Sequence, residues 1–191
     1  PADQKLLIWS GKTFEPNGDV TVSGGGAGGA QDGTLEAQTN ATFRAKGTET
    51  HTIGGSFIFN SGATFTAGQS TTTFTTTGAA RTVNTNGGSF YNVAFTGAGS
   101  WTIATSTFTT MRSYTQSNGT VTCGNGTTTI GASFTVTGGT FVMPGAGLNF
   151  ISTTTGNTVR LNAVTVPGLR FAGTGGAWSM SDTHATTTGA F

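Results

Sequence analysis

Charge is what this chain has least of. Lys, Arg, Asp and Glu together make up 8% of its 191 residues, against about 25% in an ordinary globular domain. Leu occurs only six times, and with the common helix formers so scarce, almost no helix is expected. A single cysteine, Cys123, excludes an internal disulfide. It shares the parity of Val121 in Thr120-Val121-Thr122-Cys123, which reads as a small buried hydrophobe, the other reading being a reactive or intermolecular thiol. No apolar run approaches the roughly 20 residues of a membrane span, and no stretch of the given sequence reads as a signal peptide. The net charge of +1, without a basic stripe, speaks against nucleic acid as a partner.

Catalytic and ligating groups are equally sparse. Between Glu49 and Asp182 the chain has no acidic residue at all, whereas a saccharide hydrolase or lyase needs clustered carboxylates or a paired base. No enzyme is expected. His51 and His184, the only histidines, have no Cys, His or carboxylate at ligand spacing and read as surface or turn residues. Gly24, Gly26 and Gly29 satisfy G-x-G-x-x-G formally, but no helical pattern follows them. Asp32 stands alone where a calcium site would need repeated carboxylates. No cofactor and no metal are expected.

What is abundant is Thr, 43 residues, and Gly, 32 residues, with 14 Phe and three Trp among them. Thr and Phe favour strands, and Gly punctuates turns. Low charge with low hydrophobicity is also a disorder signature, but the aromatics recur at structured spacing. Ile53-Gly54-Gly55-Ser56-Phe57 returns as Ile130-Gly131-Ala132-Ser133-Phe134, an offset of 77. Thr64-Phe65, Phe74, Thr82-Val83 and Phe95 return as Thr140-Phe141, Phe150, Thr158-Val159 and Phe171, each at an offset of 76, and Trp101 answers Trp178 at 77. A repeat held in register marks a stacked, quasi-one-dimensional architecture.

Within one repeat the apolar anchors Phe57, Phe65, Phe74, Val83, Val93, Trp101 and Phe108 step along mostly eight to ten positions apart. Pairs two apart, such as Phe57/Phe59 and Trp178/Met180, would point to one face of a strand. Asn-Gly turn markers at Asn17, Asn86, Asn118 and Asn125 would suit hairpins of a sandwich or barrel. The long repeat favours instead an all-β, parallel β-solenoid, with three strands of about eight or nine residues per coil. Coils of about 25 residues, three to a repeat, are expected. A ladder of Thr50/Thr52, Thr75/Thr77, Ser100/Thr102, Thr127/Thr129 and Ser152/Thr154, with steps of 25 to 27, agrees with that coil. About 7.5 coils at about 4.8 Å would make a stack about 36 Å long.

Residues 1–40 match the repeat poorly and carry the run Gly24-Gly25-Gly26-Ala27-Gly28-Gly29. They are expected to form a divergent segment, with Leu6-Leu7-Ile8-Trp9 capping the first coil or docking on a neighbour, while 41–191 forms the solenoid. The chain begins Pro1-Ala2-Asp3 without Met and stops in mid-pattern at Phe191, which suggests a processed form or fragment. Charge is split: residues 1–52 hold four bases and six acids, a net of −2, and the remainder a net of +3.

His51-Thr52-Ile53-Gly54-Gly55-Ser56-Phe57, Gly62-Ala63-Thr64-Phe65-Thr66-Ala67-Gly68 and Ser89-Phe90-Tyr91-Asn92-Val93-Ala94-Phe95 resemble the Gly/Thr-rich β-strand repeats of bacterial extracellular β-solenoid proteins, such as autotransporter passengers and filamentous-haemagglutinin-type adhesins. The resemblance covers about 42–191 and implies a secreted or cell-surface location and a structural or adhesive role. Three functions are consistent with these readings. The first is a structural subunit of an extracellular filament, joining itself head to tail through Leu6, Leu7, Ile8, Trp9 and Phe191. The second is an adhesin or stalk fragment that binds glycans or host surfaces through Trp9, Tyr91 or Tyr114. The third is ice binding by the Thr ladder. Asn40, Asn118 and Asn125 head N-glycosylation acceptor patterns.

Overall fold

The computed structural model describes residues 4–24, 32–182 and 186–187. Each coil is a run of two- to four-residue strands joined by corners, where the chain turns on a Gly, Asn or Ser. The first coil holds β1 (Lys5–Ile8), β2 (Thr13–Phe14) and β3 (Val20–Val22), and the second β4 (Thr34–Ala37), β5 (Thr42–Arg44) and β6 (Thr50–Ile53). The third holds β7 (Phe57–Phe59), β8 (Thr64–Thr66) and β9 (Thr71–Phe74). In the fourth, β10 (Arg81–Asn84) and β11 (Asn92–Phe95) flank Phe90, which makes an isolated parallel bridge to Thr110. The fifth holds β12 (Ser100–Ile103), β13 (Phe108–Thr110) and β14 (Tyr114–Gln116), and the sixth β15 (Thr120–Thr122), β16 (Thr128–Ile130) and β17 (Phe134–Val136). The seventh holds β18 (Thr140–Val142), β19 (Leu148–Phe150) and β20 (Asn157–Arg160). Beyond it lie β21 (Thr165–Val166), β22 (Leu169–Phe171), β23 (Trp178–Met180) and β24 (Thr186–Thr187).

Every registered strand pair is parallel, and strands pair with the coils above and below rather than with their neighbours in sequence. Face one is β1-β4-β7-β10-β12-β15-β18, and face three is β3-β6-β9-β11-β14-β17-β20-β23. Face two has the two blocks β2-β5-β8 and β13-β16-β19-β22. The protein is therefore a parallel β-solenoid of about seven turns, as the sequence predicts. Residues 5–37, which the repeat leaves out, supply β1 to β4, paired in parallel with the coils that follow.

The coil is shorter than the repeat and the Thr spacing suggest. Leu35 pairs with Phe57 at an offset of 22, His51 with Thr72 at 21 and Trp101 with Val121 at 20. Longer steps occur only where a corner carries extra chain, as in the offset of 29 from Lys5 to Thr34 and of 26 from Phe57 to Val83. One strand and its corner thus take up about a third of a coil, or some seven positions. The long repeat is eleven such units, counting the Phe90 bridge. Eleven is not a multiple of three, so repeated residues fall on different faces: Ile53 lies in β6 on face three and Ile130 in β16 on face two.

Alternation along each strand sends one set of side chains inward, and these stack from coil to coil. Phe74 lies over Phe95 with centroids 4.8 Å apart, Tyr114 over Phe134 at 4.7 Å and Phe150 over Phe171 at 5.0 Å, each pair tilted by only 13°. Parallel in-register pairing enforces this, because each inward residue sits directly above its partner about 4.8 Å away. Cys123 lies in the same interior, and burial pushes its thiol up to about 12.

The corners account for much of the Gly and Asn. Gly11, Asn40, Gly62 and Asn86 occupy the corner that follows the face-one strand in the first four coils, all with φ between 49° and 71°. Gly and Asn are the residues that enter this left-handed region most readily. Asn118-Gly119 likewise forms the corner between β14 and β15 rather than a hairpin.

Candidate functional site: solenoid ends and outer ladders

The first coil presents an open cross-section. Among the described residues β1, β2 and β3 each pair on one side only, with β4, β5 and β6. Leu6, Phe14 and Val20 are half-buried and line a hollow of about 420 Å³ with Gln4, Lys5, Asp19, Thr21 and Val22. The Phe14 ring packs on Phe43 one coil in, at 5.8 Å.

The four residues of the Leu6–Trp9 segment have different surroundings. Leu6 belongs to the open end, and Leu7 sits on the outer side in register with Glu36. Ile8 is only 4% exposed, inside the core of its own chain, while Trp9 is 65% exposed. Phe191 lies outside the described residues.

At the opposite end the inward stacks run out of partners. Phe171 follows Phe150, and Met180 follows Val159, yet these two side chains are 45% and 41% exposed. Trp178 is half-buried and donates its indole N–H to the carbonyl of Ala132 at 2.9 Å. Among the described residues, both ends leave part of the apolar cross-section uncovered: Leu6, Phe14 and Val20 are half-buried at one, and Phe171 and Met180 are exposed at the other.

Charge divides between the ends. Glu15 is bridged by Lys46 at 2.7 Å and Arg44 at 3.2 Å, and the Lys46 hydrogen bond leads in holding its carboxyl below the usual range. Lys5 pairs with Glu36, while Asp19 accepts the Thr50 N–H at 2.8 Å and Glu49 the Gly47 N–H at 2.7 Å. The acids of the first coils therefore join neighbouring strands and corners. In the last coils Arg160 and Arg170 are exposed, and Asp182 caps the N–H groups of Leu161 and Asn162.

The expected Thr ladder does not exist as a single column. Thr50 and Thr52 lie on face three, Ser100 and Thr102 on face one and Thr129 on face two, because the spacing of that ladder overshoots one coil. A different ladder is present on face three. Thr21, Thr52, Thr73, Ala94, Thr115, Thr135 and Arg160 stand in register on successive strands, none of them buried. Beside them run Thr50, Thr71 and Asn92, then Ser113 and Ser133, then Thr158 and Ser179. No sequence period reveals this pairing, since the inserted corners shift it.

Comparison of the chain with protein-family models, with curated proteins and with solved structures gives no match. What the ends and faces can do follows from their geometry.

His51 is not a surface residue. It is 1% exposed, in an inward column between Val20 and Thr72, with Phe43 edge-on at 5.2 Å. Neither ring nitrogen has a hydrogen-bond partner. Burial lowers its pKa, against the opposing pull of Glu49 and Asp19. His184 lies outside the described residues. Among the described residues no three His, Cys, Asp or Glu side chains gather as a metal site, and no helix is long and apolar enough to cross a membrane.

Proposed function

We propose that this solenoid is a structural subunit that stacks end to end, the last coil of one copy against the first coil of the next, to build an extracellular filament. The observation that carries this reading is the matched pair of open ends. Among the described residues β1 to β3 offer unpaired backbone edges around Leu6, Phe14 and Val20, and the opposite end offers Phe171 and also Met180, which ends the inward column that Val20 begins. An unpaired strand edge is a template for another strand. A head-to-tail contact that does not close on itself propagates as a fibre. Exposed Arg160 and Arg170 in the last coils would approach Asp19 at the first, which favours head-to-tail over head-to-head joining.

Location at a bacterial cell surface belongs to this proposal and rests on the resemblance of the Gly/Thr strand repeats to those of extracellular solenoids. Sedimentation velocity over a concentration series tests the assembly. The native chain should form growing species, and Leu6→Lys, which places a charge in the end hollow, should hold it monomeric with unchanged far-UV circular dichroism. A native chain that stays monomeric throughout the series would sink the proposal.

The Thr column on face three, with the mixed Thr/Ser column beside it, supports ice binding as a second reading. Hydroxyls spaced by two residues along each strand, and by about 4.8 Å between strands, form a regular two-dimensional array of hydrogen-bonding groups. Ala94, Asn92 and Arg160 interrupt it, and Thr also faces outward on face one at Thr102 and Thr122. This reading requires thermal hysteresis that Thr73→Lys abolishes. Freezing indistinguishable from that of an inert protein would remove it.

A further inference from the structure

Face two carries a polar hollow across the last three coils that the face-three columns do not use and that shares only Arg170 with the end-to-end contact proposed above. Thr129, Asn149 and Arg170 stand in register on β16, β19 and β22, so neighbouring side chains in the row are set about 4.8 Å apart. The parallel row beside them begins at Thr127 and continues as Gly147 and Gly168, which have no side chains. Their absence opens a hollow of about 610 Å³ over bare backbone. Gly147 is required there: its φ is 110°, and a Cβ on it would lie 2.4 Å from the Gly168 carbonyl oxygen. Leu148 and Leu169 turn their side chains into the core, so the hollow shows ligands mainly polar groups and main chain, with Ala146 as an apolar edge.

Two features specify what it could hold. The Asn149 Oδ1 is shielded from solvent and has no donor, an arrangement that costs stability unless a ligand or water supplies one. Arg170 is exposed at the rim, in a stretch of sequence with no acid between Glu49 and Asp182, and its planar fork matches a carboxylate.

We infer that this hollow binds an acidic saccharide, a uronate-type residue whose carboxylate pairs with Arg170 and whose hydroxyl donates to Asn149 Oδ1 once the carboxamide turns toward the hollow. The Thr127 and Thr129 hydroxyls serve the remaining ring oxygens, and the Gly147–Gly168 floor admits the ring edge. A hollow of this size falls in the range of small-molecule sites, about 300–1,000 Å³.

The test is titration of the full chain with trigalacturonate, maltotriose and acetate, followed by calorimetry and by amide chemical shifts. Trigalacturonate should bind and shift the amides of Gly147 to Asn149 and of Gly168 to Arg170, with affinity falling as salt rises. Maltotriose and acetate should each bind at least tenfold more weakly. Arg170→Gln and Asn149→Ala should each weaken trigalacturonate about tenfold or more, with melting temperatures near that of the parent, while Thr115→Ala on face three leaves binding unchanged. No binding at millimolar trigalacturonate, equal binding of maltotriose or acetate, or indifference to both hollow variants would each overturn the inference.

Discussion

The phenol of Tyr114 donates a 2.7 Å hydrogen bond to Oε1 of Gln116 inside the solenoid, where both side chains are fully buried. The two residues point inward from the same strand, two positions apart. The Gln116 amide nitrogen then donates to the carbonyls of Gly119 and Thr140, both at 3.1 Å. This ties the β14–β15 corner to the start of β18 in the next coil. Burial holds the phenol's pKa well above its ordinary value, so it remains a donor at all physiological pH.

Tyr114→Phe keeps the ring stack on Phe134 but leaves Gln116 Oε1 without its donor. A buried acceptor orphaned in this way costs about 1–3 kcal/mol. The expected outcome is a lower denaturant midpoint at unchanged m-value. A fully neutral substitution would show that the bond contributes nothing net.

His51 should make the fold acid-sensitive. Its folded-state pKa lies below the unfolded value of about 6.5, chiefly because burial disfavours the charged ring. The unfolded chain therefore binds the proton more readily, and stability is full above about pH 6.5 and declines as pH falls toward the folded pKa. His51→Leu should flatten that part of the stability profile measured by urea denaturation between pH 7 and 5. A parent profile already flat there would show that the buried ring is not what titrates.

Gly139 marks a corner that no other residue fills well. Its φ is 78°, and a Cβ would lie 2.3 Å from the carbonyl oxygen of Gly119 in the coil before. Strain of this kind costs about 1–3 kcal/mol. At roughly 2–4 °C per kcal/mol for a chain of this size, Gly139→Ala should lower the melting temperature by several degrees.

Cys123 should be inert while the chain is folded. A buried thiol pushed up to about 12 supplies almost no thiolate at neutral pH, and thiolate is the reactive form. Ellman's reagent should react with it only after denaturant is added. Stoichiometric labelling of the native protein would contradict its placement in the core.

The solenoid was legible in the sequence because inward Phe, Val and Ile recur two apart within strands and at steady spacing between them. Its coil length was not. Ser56 and Ser133 show why: each Oγ accepts a backbone N–H from the next coil, that of Thr82 at 3.1 Å and that of Thr158 at 3.0 Å. The same corner motif thus recurs with the same hydrogen-bonding task, but on different faces of the stack. A sequence period reports recurrence of the unit and is silent on how many units close a turn. Extra chain at the long corners hid the true step between coils and with it the face-three Thr columns. The burial of His51 escaped for a different reason: Ile53, two positions on in the same strand, shares its inward parity, but residue type, not that alternation, is what a lone histidine is read by. The face-two hollow arises from two glycines in adjacent coils, which only the register brings together.

Cryo-electron microscopy of the native protein in non-denaturing buffer tests end-to-end stacking most directly. The eight strands of face three at about 4.8 Å each predict filaments with an axial rise of about 38 Å per subunit and a layer repeat of about 4.8 Å that continues across the joints. Monodisperse short rods, or filaments whose strands run along rather than across the axis, would contradict it.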